Sequence, residues 1–142
     1  MEMAAHSLLR KTDIAEMLES RDILPTAQRV EIAALLLTTK QHVSAEQVMA
    51  RARTSGLVVS KATVYNTLGL FVARGLIREV IVDAGRAFYD SNTEPHHHFY
   101  NVDDGTLADV ATIHVPPEQL PTPPPGTETA GVDIVIRIRN QT

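Results

Sequence analysis

The chain has 142 residues, 44% of them hydrophobic, no cysteine and a formal net charge of −4. This length makes one ordinary domain or two small ones. The apolar share supports a buried core and excludes wholesale disorder, and the absence of thiols excludes disulfides and thiolate-held metals. The charge is uneven: residues 1–88 carry 11 Lys/Arg against 9 Asp/Glu, and residues 89–142 carry 2 against 8. A slightly basic front half suited to an anion therefore precedes an acidic back half suited to cations. No apolar run is long enough to span a bilayer. The N-terminus has no basic region followed by a long apolar stretch, so a secretory leader is not expected and a cytoplasmic location is.

Ile14, Met17 and Leu18 share a stripe, which predicts a short helix over 12–21. Pro25-Thr26 breaks the chain, and Thr26 caps a second helix to about Thr38 carrying Val30, Ala33, Ala34 and Leu37. Thr39-Lys40-Gln41-His42 reads as a polar turn. Ser44-Ala45-Glu46-Gln47 is a capping-box pattern that opens a third helix to about Arg53, ended by Gly56. Ser60-Lys61-Ala62-Thr63 opens a fourth, with Val64, Leu68 and Phe71 or Val72 on its packed face and Gly75 at its stop. The β-branched run Leu76–Val82, the turn Asp83-Ala84-Gly85-Arg86 and the return Ala87-Phe88-Tyr89 predict a hairpin. Helices followed directly by a hairpin are the layout of a winged helix-turn-helix.

Beyond Asp90 the character changes. Strand-like 96–102 turns at Asp103-Asp104-Gly105 and returns through 106–112. Six prolines between 116 and 125 then stiffen the connection, and Val132–Arg139 alternates as a half-buried strand. Three short strands bury little alone, so a second copy is expected to cover them as a homodimer. The division expected is a winged-helix DNA-binding domain over 1–88 and a dimerisation and metal- or haem-sensing domain over 89–142.

The start of the fourth helix has what reading double-stranded DNA requires. Its backbone N–H groups and Lys61 suit a phosphate, with Thr63, Tyr65 and Asn66 near the N-terminus of the outer face. The Tyr65 ring suits a thymine methyl and the Asn66 amide an adenine edge. The alternative is an amphipathic helix with a solvated outer face. The second cluster is Pro95-His96-His97-His98-Phe99-Tyr100, with Asp90 before it and Asp109 after it. On a strand His96 and His98 share one face and His97 takes the other. Two imidazoles with nearby carboxylates begin a metal site; the alternative is an exposed polar strand.

Ala62-Thr63-Val64-Tyr65-Asn66-Thr67-Leu68, preceded by His42-Val43-Ser44-Ala45-Glu46 and by Pro25-Thr26-Ala27-Gln28-Arg29, and followed by the His run, resembles the ferric uptake regulator (Fur) family over roughly 20–112. Within it the chain is most similar to the iron response regulator (Irr) subgroup. The shared features are Thr-Val-Tyr-Asn-Thr-Leu, Phe88-Tyr89-Asp90 leading into the His run, and the Val-Asp-Ile-Val-Ile-Arg strand. The resemblance implies an α+β protein, an N-terminal winged helix-turn-helix followed by a small α/β dimerisation domain. It implies DNA contacts by Lys61, Thr63, Tyr65, Asn66 and Arg29, and a regulatory site of His42, Asp90, His96, His98 and Asp109 at the hinge between domains. That site would take divalent iron, manganese or zinc. For the subgroup it also implies haem at His96, His97 and His98, with His97 otherwise a solvent-exposed strand residue. Two departures stand out. Asn101 and Asp104 occupy the positions of a Cys pair that holds structural zinc in many members, so no Cys-ligated zinc is expected. Leu24 occupies the position of a basic residue that reaches the minor groove.

The expected function is a dimeric repressor of iron- or haem-responsive genes, not an enzyme. The alternatives are a metal-dependent hydrolase, disfavoured because no separate general base or nucleophile accompanies the ligands, and a winged-helix module that binds protein rather than DNA.

Overall fold

The structure is a computed structural model and describes residues 10–37, 42–83, 85–110 and 113–142. The expected turn residues 39–41 and the His6 region lie outside these. The chain divides into two compact units, 1–93 and 94–142.

The first unit contains α1 (Lys11–Ser20), α2 (Ala27–Leu37), β1 (His42–Val43), α3 (Ala45–Thr54), α4 (Lys61–Ala73), β2 (Arg78–Asp83) and β3 (Arg86–Asp90). The helix ends follow from local chemistry. The Thr26 Oγ1 accepts from the Arg29 N–H at 3.3 Å, and the Ser60 Oγ accepts from the Thr63 N–H at 3.1 Å. Around α3 the box closes both ways: the Gln47 N–H donates to Ser44 Oγ at 3.2 Å, and the Ser44 N–H to Gln47 Oε1 at 2.9 Å. Gly75 takes φ +73°, which lets the Leu76 N–H reach back to the Phe71 carbonyl at 2.9 Å and close α4. The Arg21 guanidinium adds a bond to the Gly75 carbonyl at 2.9 Å, pinning the end of α1 to the end of α4. Ile14, Leu18, Ile32, Val48, Val64, Leu68 and Phe71 fill one core between the helices, each at most 1% exposed.

The sheet of this unit has the order β1-β3-β2, all antiparallel. His42 is therefore not a turn residue. It belongs to β1, directly opposite Asp90, with Val43 opposite Tyr89. A two-residue strand has no period to detect; β3 creates it by pairing. The pairing also keeps Tyr89 and Asp90 within the first unit, which runs through Thr93 rather than closing at residue 88.

The second unit contains β4 (His97–Asn101), β5 (Leu107–Val110), a 3₁₀ turn (Pro117–Gln119) and β6 (Val135–Ile138). β4 is central, antiparallel to β5 and parallel to β6. The last strand is shorter than its 132–139 alternation suggests, because pairing with β4 begins at His98 opposite Val135. His97 is not solvent-exposed: it is 9% accessible and its Nδ1 accepts from the Ile134 N–H at 3.0 Å, anchoring the entry to β6. At the β4–β5 turn, the Asn101 Oδ1 accepts from the N–H groups of Asp103 (2.9 Å) and Asp104 (3.3 Å). The Asn101 Nδ2 donates to Asn140 Oδ1 at 2.9 Å, and the Asn140 N–H donates to Asp103 Oδ2 at 2.8 Å. The position that a thiolate would need is thus committed to hydrogen bonds.

Candidate functional site

His and Asp side chains that can offer metal ligands occur in both units. In the first, the β1–β3 register sets the His42 Nε2 3.2 Å from Asp90 Oδ2. The Asp90 carboxylate is 2% exposed as a residue, and its other oxygen accepts from the Asn92 N–H at 2.9 Å. One carboxylate oxygen is thereby fixed by backbone and the other is aimed at the imidazole.

In the second unit, the β4–β5 register sets His98 opposite Asp109. Two residues earlier on the same face, the His96 ring stands edge-on to His98, centroids 4.5 Å apart at 61°. Asp109 Oδ1 lies 3.2 Å from His96 Nε2 and 3.3 Å from His98 Nε2. One ligand atom from each of the three falls within 4.8 Å of the others. The His96 Nδ1 is 2.6 Å from the Glu94 carbonyl. A carbonyl only accepts, so Nδ1 carries the hydrogen and Nε2 turns its lone pair toward the Asp109 oxygen. Two lone pairs facing each other require a cation between them, a proton or a metal. The backbone bond to Nδ1 is the support that metal-binding histidines use to fix tautomer and ring orientation.

The three His–Asp separations are 3.2–3.3 Å, compatible with either a proton or a metal between the two groups. The donors are imidazole and carboxylate only, which suits iron(II), manganese(II) or zinc.

The five residues expected at DNA divide between two places on the first unit. Arg29, Thr63 and Asn66 line one open groove of about 430 Å³ between the start of α2 and the outer face of α4. Within it the Arg29 guanidinium donates to the Leu24 carbonyl at 3.0 Å, and the Thr63 Oγ1 accepts from the Ser60 hydroxyl at 2.9 Å. Leu24 itself is 71% exposed. Lys61 and Tyr65 stand together one helical turn apart, the Lys61 Nζ 5.8 Å from the Tyr65 ring centroid. The Tyr65 hydroxyl donates to Glu46 Oε1 at 3.0 Å. That bond pushes the Tyr65 phenol above its ordinary range, aided by burial and the Glu46 charge. The Glu46 carboxyl is held below the usual carboxylate range by the backbone N–H at the start of its helix, then by the Tyr65 and Ser44 hydroxyls and the charge of Lys61, against a smaller cost of burial. Sequence reading did not single out Glu46. Its place in the first turn of a capped helix was visible, but its partner is 19 residues away.

The ferric uptake regulator family model matches residues 21–122. The chain belongs to the Fur family. The Ferric uptake regulation protein of Rhizobium leguminosarum bv. viciae is 33% identical over 101 residues, 68% of this chain and 71% of that protein. The solved structure of the ferric uptake regulator from Pseudomonas aeruginosa with manganese is 25% identical, with a TM-score of 0.67 over 89% of this chain and 97% of that one. A zinc-bound manganese uptake regulator shares the fold at 22% identity, TM-score 0.65, over 90% of this chain and 98% of that one. As a Fur-family protein the chain has the α+β architecture of a winged-helix domain followed by a small α/β domain. The family consists of metal-responsive DNA-binding transcriptional regulators, not enzymes, and the hydrolase alternative is set aside. The described residues offer imidazole and carboxylate ligands, and the sequence contains no cysteine. Among the described residues no helix is long and apolar enough to cross a membrane.

Proposed function

We propose that this protein is a dimeric repressor whose DNA binding is set by one divalent cation shared by His42 and Asp90 of the winged-helix unit and by His96, His98 and Asp109 of the second. The observation that supports it is the repetition of one geometry. Three His–Asp pairs, one in the first unit and two in the second, set an imidazole nitrogen 3.2–3.3 Å from a carboxylate oxygen. Only five residues separate Asp90 from His96, so the two half-sites are tethered closely in sequence. A shared cation would fix the angle between the units and so the spacing of two recognition helices on one face of DNA. It acts as a switch only by binding one arrangement better; a tenfold change in DNA affinity needs about 1.4 kcal/mol of such preference.

Lys61, Thr63, Tyr65, Asn66 and Arg29 are the DNA contacts in this reading, and the second unit is the dimer contact. β5 and β6 are both edge strands, with Ile138 of β6 40% exposed and Val102, just beyond β4, 48% exposed, surface that a second copy would cover. The cellular compartment in this reading is the cytoplasm.

The iron response regulator likeness extends the proposal to haem as an effector. His97 is committed to the Ile134 N–H through Nδ1. Haem ligation by this run would therefore fall to His96 or His98, whose Nε2 atoms face Asp109. Haem and a divalent metal would then exclude each other.

The test is metal content and duplex binding of the purified protein with and without a chelator. His42→Ala, His96→Ala and His98→Ala should each lower bound manganese or zinc and remove the metal dependence of duplex binding. Full metal retention by all three variants would overturn the shared site. Haem titration with and without bound zinc, followed by visible absorption, checks the exclusion.

A further inference from the structure

Tyr65 is 39% exposed on the outer face of α4, yet it is held at two points. Glu46 Oε1 takes its hydroxyl hydrogen, and the Lys61 Nζ approaches its ring. The two holders come from the first turns of two different helices, α3 and α4. A Tyr side chain has only two rotatable bonds before the ring, so one hydrogen bond at the ring tip fixes both at small entropic cost.

The position of Glu46 is unexpected for a DNA-facing surface. An exposed carboxylate beside a helix presented to phosphates weakens the sequence-independent part of binding. Specificity is a difference of affinities; the charge costs both kinds of site alike, so any gain in that difference comes from ordering a base-reading side chain. A loose ring can satisfy several base edges; a fixed ring face meets a thymine methyl at one position only.

We propose that Glu46 is a positioning residue that locks the Tyr65 ring for base reading and thereby sets the sequence specificity of this helix-turn-helix. This rests on the assignment of Tyr65 to DNA, and the test separates the two.

The probe is a duplex selected by the wild-type protein from a random library, compared with a scrambled duplex of the same composition by fluorescence anisotropy. Tyr65→Phe keeps the ring and removes the hydroxyl; Glu46→Ala removes the acceptor. Each should lower the selected-to-scrambled affinity ratio about 10-fold, and the double variant should lose about the same rather than about 100-fold, because the two changes cut one interaction. Glu46→Gln keeps an acceptor oxygen without the charge. It should hold the ratio within about threefold of wild type while tightening binding to both duplexes, as expected when a charge opposed to phosphates is removed. A role for Glu46 confined to stabilising α3 would lower the melting temperature and leave the ratio alone. Additive losses, or a wild-type ratio for Glu46→Ala, overturn the proposal while Tyr65→Ala still loses binding. If Tyr65→Ala and Lys61→Ala both bind as wild type, the DNA assignment itself fails, and the proposal with it.

Discussion

The two units are stabilised by different means. The first buries a continuous apolar core of helix and sheet residues, with Leu18, Ile32, Val48, Val64, Leu68 and Phe71 fully enclosed. In the second, the buried apolar residues among those described are Tyr100 and Val110, against three buried polar ones, His97, His98 and Asn101. Hydrophobic burial is additive and indifferent to ligand. Buried polar groups stabilise only while their partners are in place. The first unit is therefore a scaffold that presents α4. The second relies more on hydrogen bonds, and in the proposed function also on a cation at its His–Asp face and on a second copy over its sheet edges.

The largest expected effect tests the scaffold. Leu68 is fully buried against the other helices, and Leu68→Ala should cost about 2–5 kcal/mol, read as a lowered denaturant midpoint of the helical signal. The loss from wild type to Leu68→Ala should be the same with and without a chelator, although a cation on His42 and Asp90 raises both midpoints. A loss that changes with the chelator would show that the apolar core itself leans on the metal, and the contrast would fail.

A smaller effect tests the second unit. Asn101→Ala strips the acceptor from two turn N–H groups and the donor from Asn140, for an expected cost of about 1–3 kcal/mol. Hydrogen exchange should speed up at Asp103, Asp104 and Asn140 and stay unchanged along α2 and α4. Loss of protection in those helices would show one cooperative body in place of two.

The same contrast governs what was legible in the sequence. The helices of the first unit announce themselves locally. Thr26, Ser44 and Ser60 cap within three residues of their partners, and Gly56 and Gly75 end their helices at φ +82° and +73°. The hairpin was readable because β-branched residues flank a glycine turn. What stayed hidden depends on partners far along the chain. β1 exists only because β3 pairs with it some 47 positions later, and this is what turns His42 toward Asp90. His97 is buried by a backbone N–H 37 residues on, and Asn101 by a side chain 39 residues on. The spacing of His96 and His98 fixed their shared face, but the carboxylate opposite them comes from the register of β5.

The smallest effect at neutral pH, and the one that best separates the units, is alkaline. Tyr89 lies in β3 of the first unit, 6% exposed, opposite Glu79 in the β2–β3 register. Burial, then the charge and hydrogen bond of Glu79, push its phenol up to about 12. A folded-state pKa raised above the unfolded value of about 10 means that the neutral phenol favours the fold. That contribution is complete below pH ~10 and is lost as the pH climbs from there toward ~12, where the unfolded chain sheds the proton that the folded one retains. The helical unit should thus lose stability across that window, measured as a falling melting temperature, and Tyr89→Phe should flatten the decline because it removes the titrating hydroxyl. An equally steep decline in Tyr89→Phe would place the alkaline sensitivity elsewhere.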